Sequence, residues 1–62
     1  MYLLIVYCKN LEVLRLALTL DELKIFTRTV TKSGASFELI KNKRSMYFDD
    51  IEELRLFIRE EI

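Results

Sequence analysis

Two nine-residue segments, one near the middle of the chain and one near its end, share a single pattern. Residues 20–28 read LDELKIFTR and residues 51–59 read IEELRLFIR, at a spacing of 31. Four of the nine positions are identical and four more are conservative. Each segment follows a stretch with strand character, so the chain is predicted to be a tandem ββα repeat. With 62 residues it has room for one domain, 1–62, made of one unit over 1–33 and another over 35–62.

Both repeated segments have the periodicity of an amphipathic helix. The first helix is predicted over residues 20–33, where Thr19 and a glutamate three residues later form a capping box. The second is predicted over residues 51–61 and is capped by Asp49 or Asp50. These two helices account for both copies of the repeated pattern.

Four strands are predicted from runs of β-branched, aromatic and alternating apolar residues. Short turns at Lys9-Asn10 and Asn42-Lys43 join them in pairs. The fold class is therefore α+β, with a four-stranded antiparallel sheet and both helices on one face. An alternative reading makes residues 11–30 a single helix, because residues 11–18 contain good helix formers. The predicted strands are residues 2–8, 11–18, 36–40 and 45–48.

The composition removes several classes of chemistry. One cysteine and no histidine exclude an internal disulfide and a zinc site built on cysteine and histidine. Without a histidine there is no base for a serine or cysteine relay, and a single glycine cannot form a Gly-rich phosphate loop. We therefore expect no enzyme activity, no cofactor and no metal. An apolar fraction of 52% with zero net charge excludes disorder.

The apolar run at residues 2–8 lacks the flanks of a signal peptide. It is also far shorter than the ~20 residues that span a bilayer. These features, and an unpaired thiol, indicate a cytoplasmic protein without a membrane partner.

The first predicted strand is apolar on both faces, whereas a half-buried strand alternates. Two helices cover one face of the sheet, so the other face is expected to be open and to form a homodimer, sheet to sheet or through an edge strand. In the alternative reading, helices lie on both sides of this strand. The residues predicted at the dimer interface are Leu4, Val6, Val13 and Ile40.

Each helix carries an apolar residue on its polar face, at matched positions of the repeat. Ile25 and Leu56 are these residues, and we expect them to anchor a protein partner. Glu60 and Glu61 are poorly placed for the helix dipole, which suggests that they face a basic partner surface. The full set of predicted partner contacts is Ile25, Leu56, Arg28, Arg59, Glu60 and Glu61. The alternative is that Ile25 and Leu56 are ordinary scattered surface residues.

The zero net charge conceals an uneven distribution. Residues 24–44 carry a net charge of +5 and residues 45–62 carry −4. The basic block could bind phosphates, with Tyr47 stacking on a base. No helix-turn-helix, zinc-finger or ribonucleoprotein signature accompanies it. The residues for nucleic-acid binding would be Lys24, Arg28, Lys32, Lys41, Lys43 and Arg44.

A small chain with no catalytic motif and with spare apolar surface is expected to act by binding. The sequence favours a non-enzymatic protein-interaction module, homodimeric, that regulates or inhibits a larger and possibly nucleic-acid-binding host protein. Compact proteins of phages and other mobile elements have this general character. The alternative is a small nucleic-acid-binding regulator that uses the basic block.

Overall fold

The structure, a computed structural model, describes residues 1–29 and 34–60. It confirms the α+β fold and the ββαββα order. Residues 30–33 of the first predicted helix and residue 61 of the second lie outside the described residues. The elements are β1 (Tyr2–Cys8), β2 (Leu11–Leu18), α1 (Leu20–Thr29), β3 (Ala35–Lys41), β4 (Arg44–Phe48) and α2 (Ile51–Glu60).

The four strands form one antiparallel sheet in the order β2-β1-β3-β4. The first strand of each ββα unit is central, and the second strand of each unit is an edge. The two units therefore meet at the β1–β3 pair, an arrangement that fits the repeat. The alternative helix over residues 11–30 is wrong, because β2 pairs with β1 from Leu18 to Leu11. Pairing within the sheet outweighs the helix propensity of these residues.

Both hairpins turn through two residues with positive φ. The angles are 53° at Lys9 and 65° at Asn10, and 52° at Asn42 and 66° at Lys43. Left-handed conformation at both central residues is the type I′ turn, whose twist matches that of the flanking strands. Asparagine tolerates this conformation better than most residues, which explains its presence in each turn.

Both predicted helix caps are present. The Thr19 hydroxyl accepts the backbone N–H of Glu22 at 3.2 Å, and the Glu22 carboxylate accepts that of Thr19 at 2.9 Å. Asp50 caps α2, accepting the Glu53 N–H at 2.9 Å, while the Glu53 carboxylate accepts the Asp49 N–H at 3.1 Å. These bonds satisfy N–H groups that the first turn of a helix leaves unpaired.

Both helices pack on the same face of the sheet, and the core lies between the two layers. Its centre is formed by residues that are completely removed from solvent. These are Leu4, Leu23, Phe37, Leu39 and Leu54.

The expected role of Leu4 and Val6 at a dimer interface is wrong, because both side chains are buried beneath the helices. In the sheet Leu4 lies opposite Leu39, and Val6 lies opposite Phe37. Phe37 and Leu39 lie on the face of the sheet that the helices cover. Residues directly opposite each other in a sheet point to the same face, so Leu4 and Val6 also face the helices. Their neighbours Leu3, Ile5 and Tyr7 therefore face the open side.

Candidate functional site

A groove of about 170 Å³ lies between α1 and α2 and is lined mainly by basic side chains. Its lining residues form three pairs at the repeat spacing of 31, so each helix contributes the same three positions. Two of these pairs are cationic, and the third lies at the floor of the groove. The pairs are Lys24 with Arg55, Thr27 with Ile58, and Arg28 with Arg59.

Arg55 holds the two sides of the groove together. Its Nε donates a hydrogen bond of 2.6 Å to the backbone carbonyl of Thr27, and its Nη1 bonds to the carboxylate of Glu52. The Thr27 hydroxyl in turn donates to the carbonyl of Lys24 at 3.0 Å, so this buried polar group is satisfied. Arg55 is thus a fixed part of the groove wall.

The other three cations of the groove are not neutralised by the described part of the chain. Within residues 1–29 and 34–60, no carboxylate makes an ion pair with Lys24, Arg28 or Arg59. Cations that line a concave surface and lack carboxylate partners attract anionic groups from outside.

Apolar residues stand beside this groove on the outer side of each helix. Ile25 is 60% exposed and Leu56 is 55% exposed. Each precedes a groove arginine by three residues, Arg28 and Arg59 respectively, a spacing that makes the side chains neighbours on a helix. We name the combination the helix-pair surface, and its residues are Lys24, Ile25, Arg28, Arg55, Leu56 and Arg59.

The other charged residues that the sequence analysis named as candidate contacts lie in separate parts of the structure. Glu60 is exposed at the end of α2, while Glu61 and Lys32 lie outside the described residues. Lys43 is in the β3–β4 turn, and Arg44 lies in a second depression that shares no residue with the groove. The described residues of the basic block are therefore divided between the helix pair and the end of the sheet at the β3–β4 turn, which we call the hairpin end.

Lys41 is also at the hairpin end and interacts with Tyr2. Its Nζ donates to the Tyr2 hydroxyl at 3.0 Å and lies 4.7 Å from the centre of the Tyr2 ring. A cation held against an aromatic face in this way has a structural role.

Polar side chains occupy part of the sheet face opposite the helices, where the sequence predicted an apolar patch. Tyr7 donates a hydrogen bond of 2.8 Å to the Glu38 carboxylate, which also accepts one from Ser45. On the neighbouring strand Arg15 forms two bonds to Glu12, at 2.8 and 3.1 Å. These contacts were not predictable from the sequence, because they join residues on different strands or across a bulge.

These hydrogen bonds shift the pKa values of three side chains on the open face. Hydrogen bonds from Ser45 and Tyr7 lower the pKa of Glu38, and the hydrogen bond from Arg15 lowers the pKa of Glu12. The bond to Glu38 in turn raises the pKa of the Tyr7 phenol. Each carboxyl group is therefore held in its charged form.

A carboxyl group whose pKa is lower in the folded state than in the unfolded state stabilises the fold above its unfolded pKa. That contribution is lost as the pH falls through the lowered, folded-state pKa. We expect the denaturation midpoint of the wild-type chain to decrease as the pH falls below the ordinary glutamate value of 4.5. Glu38→Gln should flatten this decrease, as measured by urea denaturation at a series of pH values.

The control is Glu60→Gln, which removes an exposed carboxylate that makes none of the described hydrogen bonds. This variant should retain the wild-type pH profile. An equal flattening in both variants would contradict the role assigned to the Glu38 contacts.

Two of the four residues predicted at a dimer interface remain on accessible parts of the molecule. Val13 is exposed on the edge strand β2, at a register shift that leaves it without a partner on β1. Ile40 is half-buried on the open face, between Leu3 of β1 and Ser45 of β4. Leu11 and Leu14, the exposed apolar neighbours of Val13 on β2, were not among the residues predicted at the dimer interface.

Within residues 1–29 and 34–60, no group of three or more histidine, cysteine, aspartate or glutamate residues is placed to hold a metal ion. No helix in these ranges is long and apolar enough to cross a membrane. Cys8 is a half-buried free thiol at the end of β1.

Comparison with known protein families found no match for this chain. Comparisons with curated proteins and with solved structures found none either. The surfaces described above are therefore the basis for assigning a function.

Proposed function

We propose that this chain is a non-enzymatic protein-interaction module that binds an acidic surface of a larger protein and so regulates or inhibits it. The observation that carries the proposal is the helix-pair surface, where two exposed apolar side chains stand beside a groove with three cations that no carboxylate among residues 1–29 and 34–60 neutralises. Matched positions in both helices supply these groups.

The helix-pair surface offers both affinity and selectivity. Complete burial of a fully exposed Ile or Leu side chain contributes about 1.5–3 kcal/mol. Ile25 and Leu56 are more than half exposed, so each can contribute about half of this as an anchor. The cations around them favour a partner with carboxylates and disfavour a basic one. They also repel a second copy of the same surface, so the partner that fits here is a different protein.

A protein partner fits the structure better than a nucleic acid does. Five of the six basic residues that the sequence offered for phosphate binding are described by the structure, and these five do not form one surface. Those near the β3–β4 turn are separate from the groove. Tyr47, expected to stack on a base, pairs with Glu38 on the open face of the sheet and lies beside Tyr7. The groove cations lie in the helix layer, on the other side of the sheet.

The proposal is tested by capturing partners from a lysate of the source cells with immobilised chain. We expect one acidic protein in stoichiometric amount with the wild-type chain. Leu56→Ser and the pair Arg28→Glu with Arg59→Glu should each reduce its recovery at least about tenfold, because one removes an anchor and the other reverses two groove charges. The purified partner should show the same order of affinities by calorimetry.

The matched control reverses two charges outside the helix-pair surface, in Lys43→Glu with Arg44→Glu. It changes the net charge by the same amount and should leave recovery unchanged. Equal loss in the control and the groove variant would show a non-specific charge effect and contradict the proposal. A gel shift with DNA or RNA at ~50 mM salt that disappears steeply at higher salt would instead support the nucleic-acid alternative.

A further inference from the structure

The edge strand β2 is the most exposed apolar element of the fold. Six of its eight residues are apolar, and only Glu12 and Arg15 are charged. Leu11 is 69% exposed and Val13 is 58% exposed, because the helices cover the centre of the sheet more than this edge. A long apolar edge with unpaired backbone groups is a template for another strand.

The opposite edge of the sheet is different. β4 has five residues and begins with the charged residue Arg44. Its last residue, Phe48, is buried against Phe57 of α2, with the two ring centres 5.4 Å apart. Short length, charge and cover by a helix protect an edge from pairing. The two edges are therefore not equivalent, and β2 is the open one.

The sequence of β2 is complementary to itself when two copies run antiparallel. Residues 11–16 read Leu-Glu-Val-Leu-Arg-Leu. A two-fold axis between Val13 and Leu14 places Leu11 opposite Leu16 of the other copy, and Glu12 opposite Arg15 of the other copy. Every apolar residue of this segment then meets an apolar one, and each charge meets its opposite.

The faces of the sheet agree with this register. In a regular strand, residues three apart point to opposite faces, so Glu12 and Arg15 would be separated. The register shift in β2 places both on the open face, where Glu12 lies opposite Tyr7 and Arg15 opposite Ile5. Their side chains bond to each other in the monomer. The charges therefore lie on one face, as the paired register requires.

From this complementarity we infer that β2 pairs with β2 of a second copy, antiparallel and about a two-fold axis between Val13 and Leu14. The product is a homodimer with one continuous eight-stranded sheet. An axis perpendicular to the sheet keeps both helix layers on the same face, so the two helix-pair surfaces face the same side. The dimer does not depend on the proposed partner, since its contacts lie on a different element.

A charge exchange across the two-fold axis tests this pairing. By sizing chromatography with light scattering, the wild-type chain should have about twice its chain mass of 7.4 kDa. Glu12→Arg and Arg15→Glu should each weaken the dimer at least about tenfold, because each opposes like charges twice. A mixture of these two single variants should form a heterodimer, since every charge then meets its opposite.

The double variant E12R/R15E restores complementarity within the chain and across the axis, and should dimerise like the wild-type chain. Circular dichroism verifies that each variant is folded. A wild-type monomer at micromolar concentration, a dimer unaffected by the single charge changes, or no heterodimer in the mixture would each overturn the inference. The Arg28→Glu with Arg59→Glu variant should remain dimeric, which separates this test from that of the proposed partner.

Discussion

Replacing Leu4 with alanine is expected to destabilise the fold by about 3–5 kcal/mol. Leu4 has no exposed surface and lies in the core beneath both helices. The substitution leaves a cavity that the sheet and helix layers cannot close, since β1 is hydrogen-bonded on both sides. A chain of 62 residues has a total stability of about 3–9 kcal/mol, so the expected loss is about a third or more of the total.

Urea denaturation followed by circular dichroism measures this effect, at one fixed protein concentration so that self-association does not change between samples. Leu56→Ala is the matched control, because Leu56 is more than half exposed and alanine is favourable in a helix. Its free energy of unfolding should stay within about 0.5 kcal/mol of the wild-type value. A Leu4→Ala variant as stable as this control would contradict the buried position of Leu4.

Local signals in the sequence were sufficient to predict the helices and strands of the fold. The capping boxes at Thr19 and Asp50 act within four residues, and the turns at Lys9-Asn10 and Asn42-Lys43 depend on the conformation of two residues. Such interactions join residues that are close in the sequence, so a short segment is enough to predict them. For this reason the predicted strand and helix boundaries agree with the structure to within one residue wherever the chain is described.

Which face of β1 the helices cover does not depend on neighbouring residues in the sequence, and this face was predicted incorrectly. The strand is equally apolar on both sides, so its own residues do not determine which side the helices cover. The pairing of Leu4 with Leu39 and of Val6 with Phe37 decides it. These partners are more than 30 residues away, and their register depends on the hairpins and helices having formed.

The sequence was sufficient to predict the basic positions on each helix, but not that the two sets of side chains line one groove. The repeat places Lys24 and Arg55, and likewise Arg28 and Arg59, at equivalent positions of the two helices. That these positions face each other follows from the packing of α1 against α2 on one side of the sheet. A helical wheel describes each helix separately and therefore contains no information about this juxtaposition.

Ile5→Ala is expected to destabilise the fold by about 2–4 kcal/mol, although neither α1 nor α2 covers its face of the sheet. Ile5 is only 3% exposed. Its cross-strand neighbours are Arg15 on β2 and Glu38 on β3. Hydrogen bonds hold both of these long side chains, Arg15 to Glu12 and Glu38 to Tyr7. Their carbon chains can then cover Ile5 while their charged ends remain in water.

Ile25→Ala is the matched control, since the same atoms are removed from a side chain that is 60% exposed. Urea denaturation should place this control within about 0.5 kcal/mol of the wild-type chain. Equal stability of the two variants would show that the charged side chains do not protect Ile5 from water. A loss confined to Ile5→Ala would mean that side chains of the sheet itself, and not a helix, keep Ile5 away from water.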